Sequence, residues 1–150
     1  MKSHLKSDVW DYRDQKHRLI DQATRSLANR THMMAVSTTD TGEIHVHGVQ
    51  YVLSHKEFED VAKAREIFIR FEEPAFWERL LERFQLHEED LLFLFDDDYE
   101  IEESASVFGE FQCGSVKGVI GVVGPRRMHY EMVVPNVRYF SHLLEELIPA

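Results

Sequence analysis

This 150-residue chain carries a single cysteine, Cys113. One thiol closes no intrachain disulfide, which excludes a disulfide-built scaffold and fits a reducing, cytoplasmic setting. Proline and glycine are scarce, at four and seven residues, and no stretch rich in either divides the chain. No apolar run approaches the ~20 residues that a membrane span requires. The opening, Met1 to Ser7, is polar and lacks a signal-peptide hydrophobic region. Positive charge is in deficit, with a formal net charge of −10. A free-standing nucleic-acid binder usually presents a basic face, so direct DNA or RNA binding is disfavoured, although a local basic patch is compatible with the sum.

What is present is ordinary for a soluble domain: 43% hydrophobic and 29% charged residues. The length suits one domain with a real core. Residues 8–31 read as a helix that Asp8 can cap. Its apolar positions Val9, Tyr12, Leu19, Ile20, Ala23 and Leu27 leave one narrow face to bury. A strand begins at Met33, Thr38 to Gly42 is a turn cluster, and Glu43 to Val46 alternates, so 33–46 is a candidate hairpin. Gly48 to Ser54 fits either a strand or a short helix. Glu57 to Phe71 reads as a helix, and Pro74 opens another over 75–86.

Strands follow at Leu91 to Phe95, Ser104 to Phe111 and Val116 to Val123, joined by short links as in an antiparallel meander. The last helix, Tyr130 to Ile148, lines one face with Met132, Val133, Val137, Phe140, Leu143, Leu144 and Leu147. Pro135 sits early in it, so its regular part is expected to begin near that residue. The pattern is α+β: an antiparallel sheet with helices packed on it, preceded by an N-terminal helix.

The most distinctive stretch runs from Gly118 to Tyr130, GVIGVVGPRRMHY. Val119, Ile120, Val122 and Val123 make a β-branched strand suited to burial on both faces. Gly118, Gly121 and Gly124 remove side chains where a helix could approach or a bulge form. Pro125 ends the strand because it cannot donate to the ladder. Arg126 and Arg127 then mark a strand-to-helix corner. Two guanidiniums beside a helix N-terminus suit an anion. An arginine paired with an acidic neighbour explains the same residues more simply. The glycine spacing matches neither a dinucleotide fingerprint nor a P-loop.

This stretch resembles the C-terminal signature of the heat-inducible transcription repressor HrcA family, which carries Gly-x-Ile-Gly-Ile-Ile-Gly-Pro-Thr-Arg-Met-x-Tyr before a helix. Gly118, Gly121, Gly124, Pro125, Arg127, Met128 and Tyr130 match, and Arg126 stands where the family has Thr. A second stretch, Gly48 to Asp60, is similar to the family's glycine, apolar run and Gln-Pro-Glu-Phe; Gly48, Glu57 and Phe58 carry that likeness. The likeness covers roughly 43–148, and 1–42 match loosely as a leading helix and hairpin of the same single domain.

The resemblance implies a GAF-like, non-catalytic regulatory and dimerisation domain, with no cofactor and no metal. It also implies negative regulation of chaperone operons, a homodimer, maintenance by the chaperonin, and operator contact through a winged-helix domain. That winged helix has no room in these residues, which suggests either an excised fragment or a natural short relative. The alternative is a stand-alone GAF-like sensor of a small ligand.

Other candidates compete with plain structural roles. His45 and His47 flank Val46 in a predicted strand, so both imidazoles share a face and form a candidate metal pair. No third ligand stands out nearby, and an exposed strand face accounts for them. Residues 88–103 are acidic without Lys or Arg, and Asp96 to Asp98 offer oxygen ligands. They lack the glycine and terminal Glu of a calcium loop, so a solvated turn is the simpler reading. Cys113, Ser104 and Ser106 lack any nucleophile setting, and no enzyme is expected. Phe76, Trp77 and Phe84 form either core or a partner-facing stripe.

Overall fold

The computed structural model describes residues 2–87, 90–95 and 104–148, the side chains of 2–14, 57 and 84–87 excepted. Among the described residues, five helices and five strands alternate in blocks: α1 (Lys2–Thr31), β1 (Met34–Thr39), β2 (Ile44–His47), α2 (Val49–Leu53), α3 (Val61–Phe71), α4 (Pro74–His87), β3 (Leu91–Phe95), β4 (Ser104–Cys113), β5 (Val116–Pro125) and α5 (Tyr130–Leu147). A single turn of 3-10 helix, Lys56–Phe58, links α2 to α3. The strands form one antiparallel sheet in the order β2-β1-β5-β4-β3. The expected hairpin and meander are both present.

Strand β5 lies at the centre of this sheet, paired with β1 on one side and β4 on the other. Its side chains alternate between two apolar layers. Ile120 and Val122 face one, built with Ile20, Ala23 and Leu27 of α1 and Val133, Val137, Phe140 and Leu144 of α5. Val119 and Val123 face the other, built with Val52, Phe58, Ile67, Phe71, Phe76, Trp77 and Leu80. Helices therefore cover both faces, which is why β5 reads as a nearly continuous β-branched run rather than an alternating one. Burying each large side chain contributes about 1.5–3 kcal/mol, so the two layers hold most of the stabilisation.

Element ends follow local chemistry. Helix α1 stops where His32 adopts a left-handed backbone, φ 52°, a position usually given to glycine. Gly42 turns the hairpin with φ 92°. Helix α3 starts at Val61, not Glu57, because the Asp60 carboxylate accepts the Ala62 amide at 2.9 Å and so caps it. Helix α1 already spans Lys2 to Thr31, so Asp8 lies within it rather than at its N-terminus. Helix α5 starts at Tyr130 and runs through Pro135, so its regular part begins before the proline. Gly48 to Ser54 resolves to the short helix α2.

Candidate functional site

The Gly118–Tyr130 stretch forms β5 and the corner into α5. Its glycines make room, though not for a helix. A Cβ on Gly118 would stand 2.5 Å from the Phe111 ring, and one on Gly121 would strike the Val107 carbonyl and the Phe108 ring. Phe111 and Phe108 belong to neighbouring β4, so its own aromatic rings fold across the central strand into the space the glycines leave. The expectation of an approaching helix is corrected on this point. Gly124 leaves room for the Met33 sulfur, 2.5 Å from where its Cβ would be.

Pro125 closes the strand opposite Ser104. The chain then turns tightly: the Met128 amide donates to the Pro125 carbonyl at 3.0 Å, and Met128 is buried. The Tyr130 hydroxyl donates to the Arg126 carbonyl at 2.8 Å, which locks the corner. Burial raises the Tyr130 phenol, partly offset by the Arg126 charge, so the hydroxyl stays a donor at neutral pH. The Arg126 guanidinium lies over the Phe95 ring, 5.5 Å from its centre, a cation–π contact. Arg126 and Arg127 are both exposed and both engaged in interactions within the chain. The corner is thus a packed turn with its basic side chains on the outside.

The second stretch meets the first through a residue that neither contains. Gly48 has φ 79° at the start of α2. A Cβ there would lie 2.7 Å from the Met33 carbonyl and 2.9 Å from the Ala28 Cβ. Gly48 and Gly124 therefore clear the carbonyl and the sulfur of one methionine. Phe58 is buried in the layer under α3 and α4, while the Glu57 side chain is outside the described residues. Sequence reading missed Met33 as the shared neighbour, since nothing local marks it.

A polar cluster lies between α1 and edge strand β2. The pairing of His45 with Ser37 and His47 with Ala35 points both imidazoles toward α1. His17 and Asp21, one helical turn apart, meet them from α1. His17 Nε2 is 2.8 Å from a Glu43 oxygen. His45 Nδ1 is 3.2 Å and His47 Nε2 2.8 Å from the same Asp21 oxygen. His45 Nε2 is 3.5 Å from the other Glu43 oxygen. The imidazoles hold the Asp21 carboxyl below its ordinary range, through the His47 hydrogen bond first, against the opposing effect of burial. His45 and His47 are thus half-buried under a helix rather than on an open strand face.

The remaining candidates resolve structurally. Trp77 Nε1 donates to the Phe71 carbonyl at 2.8 Å, and its ring stacks on Phe71 and meets Phe76 and Phe108 edge-on. Phe76 and Trp77 are core, not a partner-facing stripe; the Phe84 side chain is outside the described residues. Cys113 is buried, donates to the Leu144 carbonyl at 3.5 Å, and is pushed up by burial, which disfavours the reactive thiolate. Ser104 and Ser106 are buried in β4. Asp96 to Asp98 and the rest of 96–103 lie outside the described residues. No described helix is long and apolar enough to cross a membrane.

Comparison with known proteins adds a family. Residues 1–134 match the model of the HrcA protein C terminal domain, so the match takes in the first 40 residues as well as the later motifs. The heat-inducible transcription repressor HrcA of Syntrophobacter fumaroxidans is 28% identical over 142 residues, covering 92% of this chain and 40% of the relative. That of Desulfitobacterium hafniense is 26% identical, over 99% of this chain and 45% of the relative. That of Nitratidesulfovibrio vulgaris Miyazaki F is 32% identical, over 72% and 32%. The chain spans less than half the length of these relatives. Among solved structures, Myxococcus xanthus MglB superposes with a TM-score of 0.51 over 87% of both chains at 13% identity. That likeness concerns the α+β, GAF-like fold alone.

Proposed function

This chain belongs to the HrcA protein C-terminal domain family, and on that premise we propose that it is the regulatory and dimerisation domain of a heat-inducible transcription repressor of chaperone operons. The family match over residues 1–134 carries the reading. The family is one of repressors rather than enzymes. Operator DNA is contacted by a winged-helix domain outside these 150 residues, and the net charge of −10 suits that division of labour. The chaperonin is the partner that maintains the active state, in the cytoplasm.

The surface at β2 and α2 supports a homodimer. Val46 pairs with Val36 and Ile44 with Thr38, so both lie on the α2 side of the sheet. They are exposed, as are Val49 and Leu53 of α2. An edge strand beside apolar residues is what a second copy can cover. A stand-alone sensor of a small ligand is less well supported. Between sheet and helices, the cleft at α4 and β3, lined by Phe76, Arg79, Leu80, Arg83 and Leu94, holds about 120 Å³, against the roughly 300 Å³ at which ligand pockets begin; the roomier hollows, about 410 and 570 Å³, are open ones along α5 and at the corner before it.

Operator binding tests the proposal. A chimera that joins the N-terminal part of the Syntrophobacter fumaroxidans relative to this chain should bind an inverted-repeat operator at low salt, with the intact relative as the positive control. This chain alone should show no sequence-selective binding. Selective binding by the chain alone, or a folded chimera that ignores the operator, would refute the assignment.

A further inference from the structure

We infer that His17, Glu43 and His45 form a binding site for a late first-row divalent cation, with zinc as its reference occupant. The three residues bring one ligand atom each within 4.8 Å of the others. Two imidazoles and a carboxylate are a nitrogen–oxygen set that suits zinc and its neighbours rather than magnesium or calcium. A tetrahedral ion with bonds of about 2.0–2.2 Å holds its ligands about 3.3–3.6 Å apart. To reach that size the His17–Glu43 pair, now at 2.8 Å, opens and the widest separation, within 4.8 Å, closes, and a water completes the set.

The arrangement around His45 makes this more than a chance grouping. Its Nδ1 lies 3.2 Å from Asp21 and its Nε2 3.5 Å from Glu43. A neutral imidazole has one N–H and one lone pair, so it cannot donate to both carboxylates. With Nδ1–H donating to Asp21, the Nε2 lone pair points into the His17–Glu43 space. This carboxylate–histidine pairing is how proteins orient a metal-binding imidazole. Asp21 is itself held by His47 Nε2 at 2.8 Å, and Arg25 stands 3.9 Å from its other oxygen. Asp21 and His47 are therefore positioning residues, not ligands.

The two halves of the site come from different elements. His17 and Asp21 sit four apart on α1, and Glu43, His45 and His47 alternate along one face of the hairpin strand. A bound ion would tie the second half of α1 to the edge of the sheet, so binding should also raise thermal stability.

The test uses the untagged full chain, stripped with chelator and returned to chelator-free buffer. Zinc is titrated by calorimetry and cobalt(II) by visible absorption. One equivalent of each should bind, cobalt with the intense bands of a four-coordinate site, and zinc should raise the melting temperature. His17→Gln and His45→Gln should each weaken zinc binding by at least about tenfold, and Asp21→Asn by about 10–100-fold. His142→Gln, on the exposed face of α5, should leave it unchanged. His17 is half-exposed, so its variant keeps the fold and decides the matter if circular dichroism shows that the His45 variant does not. Absence of stoichiometric binding, or equal affinity in the folded His17→Gln variant, overturns the inference.

Discussion

Single residues carry the family signature through volume rather than chemistry. Gly121 is the strictest case, because any Cβ there meets a backbone carbonyl of β4 as well as the Phe108 ring. A backbone group in a central ladder cannot step aside. Gly121→Ala should therefore lower stability by about 1–3 kcal/mol, read from the urea midpoint. Gly124→Ala should cost less, since only the flexible Met33 side chain crowds that position. Equal losses in the two variants would remove the steric account. The sequence made the glycines visible but not what fills their place. A strand's partners are set by topology, so neither the Phe108 and Phe111 rings nor the bridging role of Met33 has a local signal. The His cluster was half legible. His45 and His47 share a face by strand alternation, and Glu43 continues that alternation two residues earlier. The contribution of α1 appears only once the helix is laid across β2.

Elements are more legible in the sequence than their ends. The hairpin, the meander and the amphipathic helices follow from periodicity, because both faces of the sheet demand apolar side chains at regular intervals. Ends depend on single hydrogen bonds that periodicity ignores. The Glu57–Phe71 run looks continuous, yet Lys56–Phe58 is one 3-10 turn and Asp60 restarts the chain as α3. The amide of Ala62 has no earlier helical carbonyl to bond, and the Asp60 side chain supplies the acceptor. Asp60→Ala should cost about 1 kcal/mol in chemical denaturation, and Asp60→Ser should recover most of it. Pro135 is the opposite case. The first-turn amides of Met132 and Val133 both bond to the His129 carbonyl, so the helix is established before the proline, and its ring is accommodated on the exposed side.

At the scale of the whole molecule, the sheet has one face of β2 turned to the polar cluster under α1 and the other left apolar. Ile44 and Val46 are exposed on that second side, and Val49 and Leu53 are exposed on α2. In a chain with net charge −10, an apolar edge is the natural place for self-association, since like charges oppose contact elsewhere on the surface. We propose that the domain pairs with a second copy of itself through this surface. Sedimentation equilibrium of the untagged chain, with chelator present so that no ion bridges copies, tests it most directly. The account predicts a species of twice 17.7 kDa that dominates at ~100 µM and dissociates on dilution; a chain that stays at 17.7 kDa across that range would contradict it.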